Sequence, residues 1–117
     1  MNRNYRQLKP YKDGHDLAVR VFELTKNFPE EEQGLLASEI RKAAIKVPAK
    51  IAGASVFRGS ALVDAFVRVR NRLFGLEAQI EIARDLYYIG VDDAEELLAL
   101  CDRVRRSLSI MIFRLSR

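Results

Sequence analysis

One cysteine, Cys101, rules out a disulfide within the chain. One histidine, His15, leaves no cluster of imidazoles for a metal site or a proton relay. No apolar run approaches the eighteen or so residues needed to span a bilayer. The opening Met-Asn-Arg-Asn-Tyr-Arg has no leader-type apolar core behind it, so a cytoplasmic protein with no membrane partner is expected. No phosphate-binding Gly loop, Gly-x-Gly-x-x-Gly or Gly-x-Ser-x-Gly is present, and nothing nominates a catalytic residue, a metal ligand or a cofactor. The expectation is therefore a non-enzyme. Glycine and proline are sparse, and β-branched residues never alternate with polar ones over a strand length, so no sheet is expected. The sharpest absence is acidic: between Glu39 and Asp64 there is no carboxylate, while Arg41, Lys42, Lys46, Lys50 and Arg58 all fall in that interval.

What is present suits one folded domain over residues 1–117, with 49% apolar and 31% charged residues. The formal charge of +4 is modest, and its uneven distribution says more than its size. Four apolar stripes recur at helical spacing. Leu17, Val21, Leu24 and Phe28 mark a first helix from about Asp13 to Asn27, with Asp13 and Asp16 at its positive end. Leu36, Ile40, Ala44, Val47 and Ile51 mark a second, opening at or soon after Pro29 and kinked at Pro48. Leu62, Phe66, Val69, Leu73, Leu76, Ile80, Ala83 and Tyr87 mark a third, capped by Ser60 and closed at Ile89-Gly90. Ala94, Leu97, Cys101, Val104, Leu108, Met111 and Leu115 mark a fourth, capped by Asp92 or Asp93. Short connections make this an all-α, antiparallel up-down four-helix bundle.

A second set of apolar residues lies off these stripes: Val19 and Phe22; Ile45, Ala49 and Ala52; Val63, Val67, Phe74 and Ala78; Ile110 and Phe113. Two readings are open, a wide core or a subunit interface, the latter naming Ile45, Ala49, Val63, Val67 and Phe74. The cations have two readings as well. Lys42, Lys46 and Lys50 form one ridge at four-residue spacing, and Arg68 and Arg72 a second pair. Such ridges are either solvated faces or phosphate contacts, and the second reading makes Arg41, Lys42, Lys46, Lys50, Arg58, Arg68 and Arg72 a nucleic-acid-binding set. Asp64 partly neutralises Arg68 in this reading. Glu77, Glu81 and Asp85 form an acidic ridge, read as a solvated face or an electrostatic interface, since no Glu-x-x-His pair accompanies it.

Three stretches together resemble a known family. Leu24 to Pro29 reads Leu-Thr-Lys-Asn-Phe-Pro. Within Gly34 to Ala54, Ile-Arg-Lys-Ala-Ala-Ile-Lys-Val-Pro-Ala-Lys-Ile-Ala is close to a pattern Ile-Arg-Arg-Ala-Ala-x-Ser-Ile-Pro-x-Asn-Ile-Ala-Glu-Gly. Leu76 to Ile89 reads Leu-Glu-Ala-Gln-Ile-Glu-Ile-Ala-Arg-Asp-Leu-Tyr-Tyr-Ile. These resemble the bacterial four-helix-bundle proteins encoded in intervening sequences of 23S rRNA genes, to which the accessory variability proteins of diversity-generating retroelements look related. The resemblance implies a cytoplasmic homo-oligomer, a ring of five, with structured RNA or DNA as ligand and a reverse transcriptase or another protein as partner. The alternative is a protein–protein scaffold or adaptor with no nucleic-acid role. The departures are local. Gly53 and Gly75 stand where the pattern has carboxylates, and Lys46 and Lys50 where it has Ser and Asn.

Overall fold

A computed structural model describes residues 4–117. Met1, Asn2 and Arg3, part of the stretch read above for a leader, lie outside them. Four helices run α1 Lys9–Thr25, α2 Leu36–Ala54, α3 Gly59–Asp85 and α4 Val91–Ser116, with short 3₁₀ turns at Tyr5–Gln7 and Glu30–Glu32. Each helix packs on its chain neighbours, and α1 closes on α4. Among the described residues no strand is present, and the up-down bundle expected from the stripes is the fold. No helix is long and apolar enough to cross a membrane.

The stripes are the core. Leu17, Val21, Ile40, Val47, Ile51, Phe66, Leu73, Ile80, Leu97, Val104 and Leu108 are all essentially sealed from water. Apolar side chains at threes and fours put one face of each helix inward, and burying that face drives the packing. Asp13 sits buried near the start of α1, with Lys9 Nζ at 3.2 Å. At the α1–α2 turn, Gln33 Nε2 donates to the carbonyls of Thr25 and Phe28, both at 3.0 Å. The Arg20 guanidinium donates to Glu96 at 2.6 Å and 3.0 Å, tying α1 to α4 and holding the Glu96 carboxyl below its usual range.

Several boundaries differ from expectation. α1 starts one turn before Asp13, because Pro10 occupies a first-turn position where its missing N–H is no loss. Pro29 opens only the 3₁₀ turn, and α2 begins at Leu36. Pro48 lies inside α2, which runs on past it to Ala54. The α3 N-cap is Arg58 rather than Ser60, with Gly59 at φ 58 turning the chain into the helix. Gly90, not Asp92 or Asp93, is the α4 N-cap; the two aspartates fall in the first turn, where they still face the positive helix end.

Two residues expected in the core are outside it. Tyr87 is 92% exposed, because α3 has already ended: Tyr87 takes φ 62, its N–H bonds Arg84 O at 3.0 Å, and the Tyr88 N–H bonds Ala83 O at 2.9 Å. That is the paired-bond helix ending in which glycine usually holds the left-handed place. Tyr88, not Tyr87, turns inward, its ring 6.0 Å from that of Phe28. Leu115 is exposed for a different reason. Arg20 faces Glu96, so counting along antiparallel helices puts Lys9 level with Ser107. The α4 turns from Ile110 on therefore overhang the start of α1, leaving the stripe residue Leu115 bare.

The off-stripe apolar residues are not a wide core in this chain. Val19, Phe22, Ile45, Phe74, Ile110 and Phe113 are exposed, and Val63, Val67 and Ala52 are half-buried.

Candidate functional site

The α2–α3 seam is where the cations gather. α2 descends beside α3 so that Lys46, Lys50 and Gly53 face Arg68, Arg72 and Val69 across a groove of about 510 Å³. A narrower continuation of about 240 Å³ adds Lys42, Gly75 and Gln79, with Glu39 at its end. The helical period explains the arrangement: Lys46 and Lys50 directly precede the buried Val47 and Ile51, and Lys42 lies one turn before Lys46, so all three ride the rim rather than the floor. Ala54, Ala65 and Val69 form a small-residue floor. Along the whole groove five cations meet one carboxylate, Glu39.

Among the described residues none of these five cations makes an ion pair. Asp64 does not neutralise Arg68 by direct contact. Elsewhere several charges are matched. In the acidic ridge of α3, Glu77 accepts from Arg105 of α4 at 2.9 Å and 3.3 Å and Asp85 accepts from Arg84 at 3.0 Å, while Glu81 and Asp85 stay exposed to solvent. Asp102 takes Arg105 and Arg106 at 3.1 Å and 2.8 Å. Arg70, between Arg68 and Arg72 in sequence, turns to α4 and donates to Ser109 at 3.2 Å.

The remaining candidates sit apart from the groove. Arg41 Nε donates to Thr25 Oγ1 and its Nη2 to Gln33 Oε1, both at 2.8 Å, so its guanidinium fastens the α1–α2 turn instead of facing a ligand. Arg58 is exposed at the α3 N-terminus.

A second concavity, of about 620 Å³, lies between α1 and α2 and is almost wholly apolar, with Tyr11, Val19, Phe22, Ile45, Ala49 and Ala52 on its walls. Ile45 and Ala49 of the expected interface set are here. Phe74 is on the far side of the molecule, under the Arg105 guanidinium at 5.1 Å, and Val63 and Val67 lie half-buried on the same helix. His15 also lines the α1–α2 concavity, its ring 6.2 Å from that of Tyr11. Cys101 is buried in the core, and burial pushes its thiol up to about 12, far from a reactive thiolate. Among the described residues no three His, Cys, Asp or Glu side chains gather to hold a metal ion.

Three groove residues escaped the sequence reading as contact residues: Phe57, Gln79 and the glycine gap at Gly53. A signal for Phe57 existed. Lys46, Lys50, Gly53 and Phe57 follow one another by four, three and four, which continues the lysine ridge past the helix end.

Compared with protein families, residues 6–110 match the one described as 23S rRNA-intervening sequence protein. None of the curated proteins compared with the chain matches it.

Proposed function

The chain is a member of the 23S rRNA-intervening sequence protein family, and from that premise we propose that it acts without catalysis, as a homo-oligomer that binds RNA or DNA along the basic α2–α3 groove. The observation that carries this reading is the run of five cations with no ion-pair partner beside a floor of small residues. Cations with no carboxylate partner of their own are available to phosphates. Lys46 and Lys50, which depart from the family pattern, both line the wider section of the groove.

Assembly rests on the other surfaces. The apolar α1–α2 concavity and the exposed Phe74 face lie on different sides of one copy. Two unlike apolar faces favour head-to-tail contacts, which close into rings. A ring of five, as the resemblance implies, is the form we adopt.

The test is binding of a labelled structured RNA measured as salt is raised. Reversing Lys42, Lys46 and Lys50 to Glu should abolish the shift and flatten the salt dependence by roughly 0.7–0.9 in log–log slope per lost phosphate contact. All three are exposed, so the helical circular dichroism should be unchanged. No salt-dependent binding to any nucleic acid, with rings intact, would favour the scaffold reading, for which the apolar concavity is the supporting feature.

A further inference from the structure

The groove holds more than charge, and we infer that its ligand is a single strand of nucleic acid laid lengthwise along α2 and α3, with a base against Phe57. This rests on the reading that nucleic acid occupies the groove, and it adds the strandedness and the residue that senses it.

Width is the first argument. Two helices in direct contact hold their axes about 8–10 Å apart, so the channel between their rims is one chain wide. A duplex can rest on the rims but cannot reach Ala54, Ala65 or Val69 on the floor. Length is the second. Lys42, Lys46 and Lys50 recur at about 6 Å along α2, and Glu39 to Gly53 spans roughly 20 Å. That accommodates roughly three or four nucleotides of an extended strand, near the small end for single-strand surfaces. Arg68 and Arg72, one turn apart, supply the opposite rail.

The ends of the groove supply the rest. Phe57, just past the α2 C-terminus, is 44% exposed in the wider section, and its N–H is fixed to Ala54 O at 2.9 Å. A Cβ placed on Gly53, between Lys50 and Phe57 in the ridge, would meet nothing within 4 Å. The space is open, and the glutamate of the family pattern is not there to repel a phosphate. At the other end Gln79 Oε1 is buried without a hydrogen-bond partner. A buried acceptor calls for a donor. Base amino groups, ring N–H groups and the ribose 2′-hydroxyl can donate, whereas phosphate and sulfate polymers cannot; a single strand also leaves its pairing-edge donors free, which a duplex does not. Cationic rails, an exposed aromatic ring and an unmet acceptor in one narrow channel match a single strand better than any simpler polyanion.

The experiment is fluorescence anisotropy of the full chain with a labelled single-stranded oligonucleotide, the same sequence as a duplex, and inorganic polyphosphate as competitor. The single strand should bind about tenfold more tightly than the duplex and resist polyphosphate. Phe57→Ala should weaken the single strand by about tenfold without changing the salt slope, since one stacking contact and no phosphate contact is lost. Phe57→Trp should retain or tighten binding, which a merely structural role for the ring would not produce. Equal affinity for duplex and single strand, or a neutral Phe57→Ala alongside a damaging Lys46→Glu, overturns the single-strand inference and leaves nucleic-acid binding standing. Loss of all nucleic-acid binding in the unaltered chain overturns both.

Discussion

Tyr87 holds a backbone conformation that its side chain disfavours. A non-glycine residue in the left-handed region costs on the order of 1 kcal/mol, and the exposed ring at this position has no packing to offset it. Tyr87→Gly should therefore raise the unfolding midpoint by a few degrees in a thermal melt, about 1 kcal/mol for a domain of this size. A lowered midpoint would mean that the ring makes a contact outside this chain. Cys101 makes the opposite kind of statement. Its thiol is pushed from 9.0 to about 12 by burial, so the folded state keeps the proton while the unfolded chain releases it. The stability this confers is complete below about pH 9 and declines as pH rises toward 12, by up to about 1.4 kcal/mol per unit. Urea midpoints across that range should fall more steeply for the native chain than for Cys101→Ala, the comparison cancelling the other titrating groups.

Between elements, α1 comes close to α2 at Gly14. A Cβ there would lie 3.2 Å from Val47 Cγ1 and 3.5 Å from the Pro48 nitrogen. Val47 and Pro48 are buried, and a proline backbone has little room to yield. Gly14→Ala sets a gain of about 1 kcal/mol in helix propensity against this crowding, whereas Gly14→Val adds bulk with no relief and should destabilise by about 1–3 kcal/mol in denaturant melts. An unchanged midpoint for the valine variant would show that α1 can slide away from α2. The stripes made all four helices and nearly all of the core legible, because burial of a 3.6-residue face is a periodic signal. Helix ends were less legible. Tyr87 kept the period of α3 after the helix had stopped, and Pro10 opened α1 without interrupting it. The cations were legible as ridges on single helices. That Lys46 and Arg72 share one groove, while Arg41 is tied to Thr25 and Gln33 and Arg70 to Ser109, depends on the register between helices, and periodicity carries no register.

At the scale of the molecule, a bundle 46 Å long and about 20 Å across carries its apolar and basic surfaces on separate flanks. If copies join the α1–α2 concavity of one to the Phe74 face of the next, each join needs one face from each partner. Ile45→Lys should then give monomers in light scattering, and so should Phe74→Glu. Mixed together, the two variants should form a dimer and nothing larger, because one intact pair of faces remains between them. Rings persisting in either variant, or monomers persisting in the mixture, would refute that geometry. The overhang of α4 past α1 adds a property to such a ring. Copies related by rotation alone all point the same way. With the bundles standing along the rotation axis, every overhang, with Phe113, Arg114 and Arg117 at its tip, would then emerge on one side, while the Tyr87 corners emerge on the other. The assembly would have a front and a back, and a strand entering the grooves would meet the same end of every copy first.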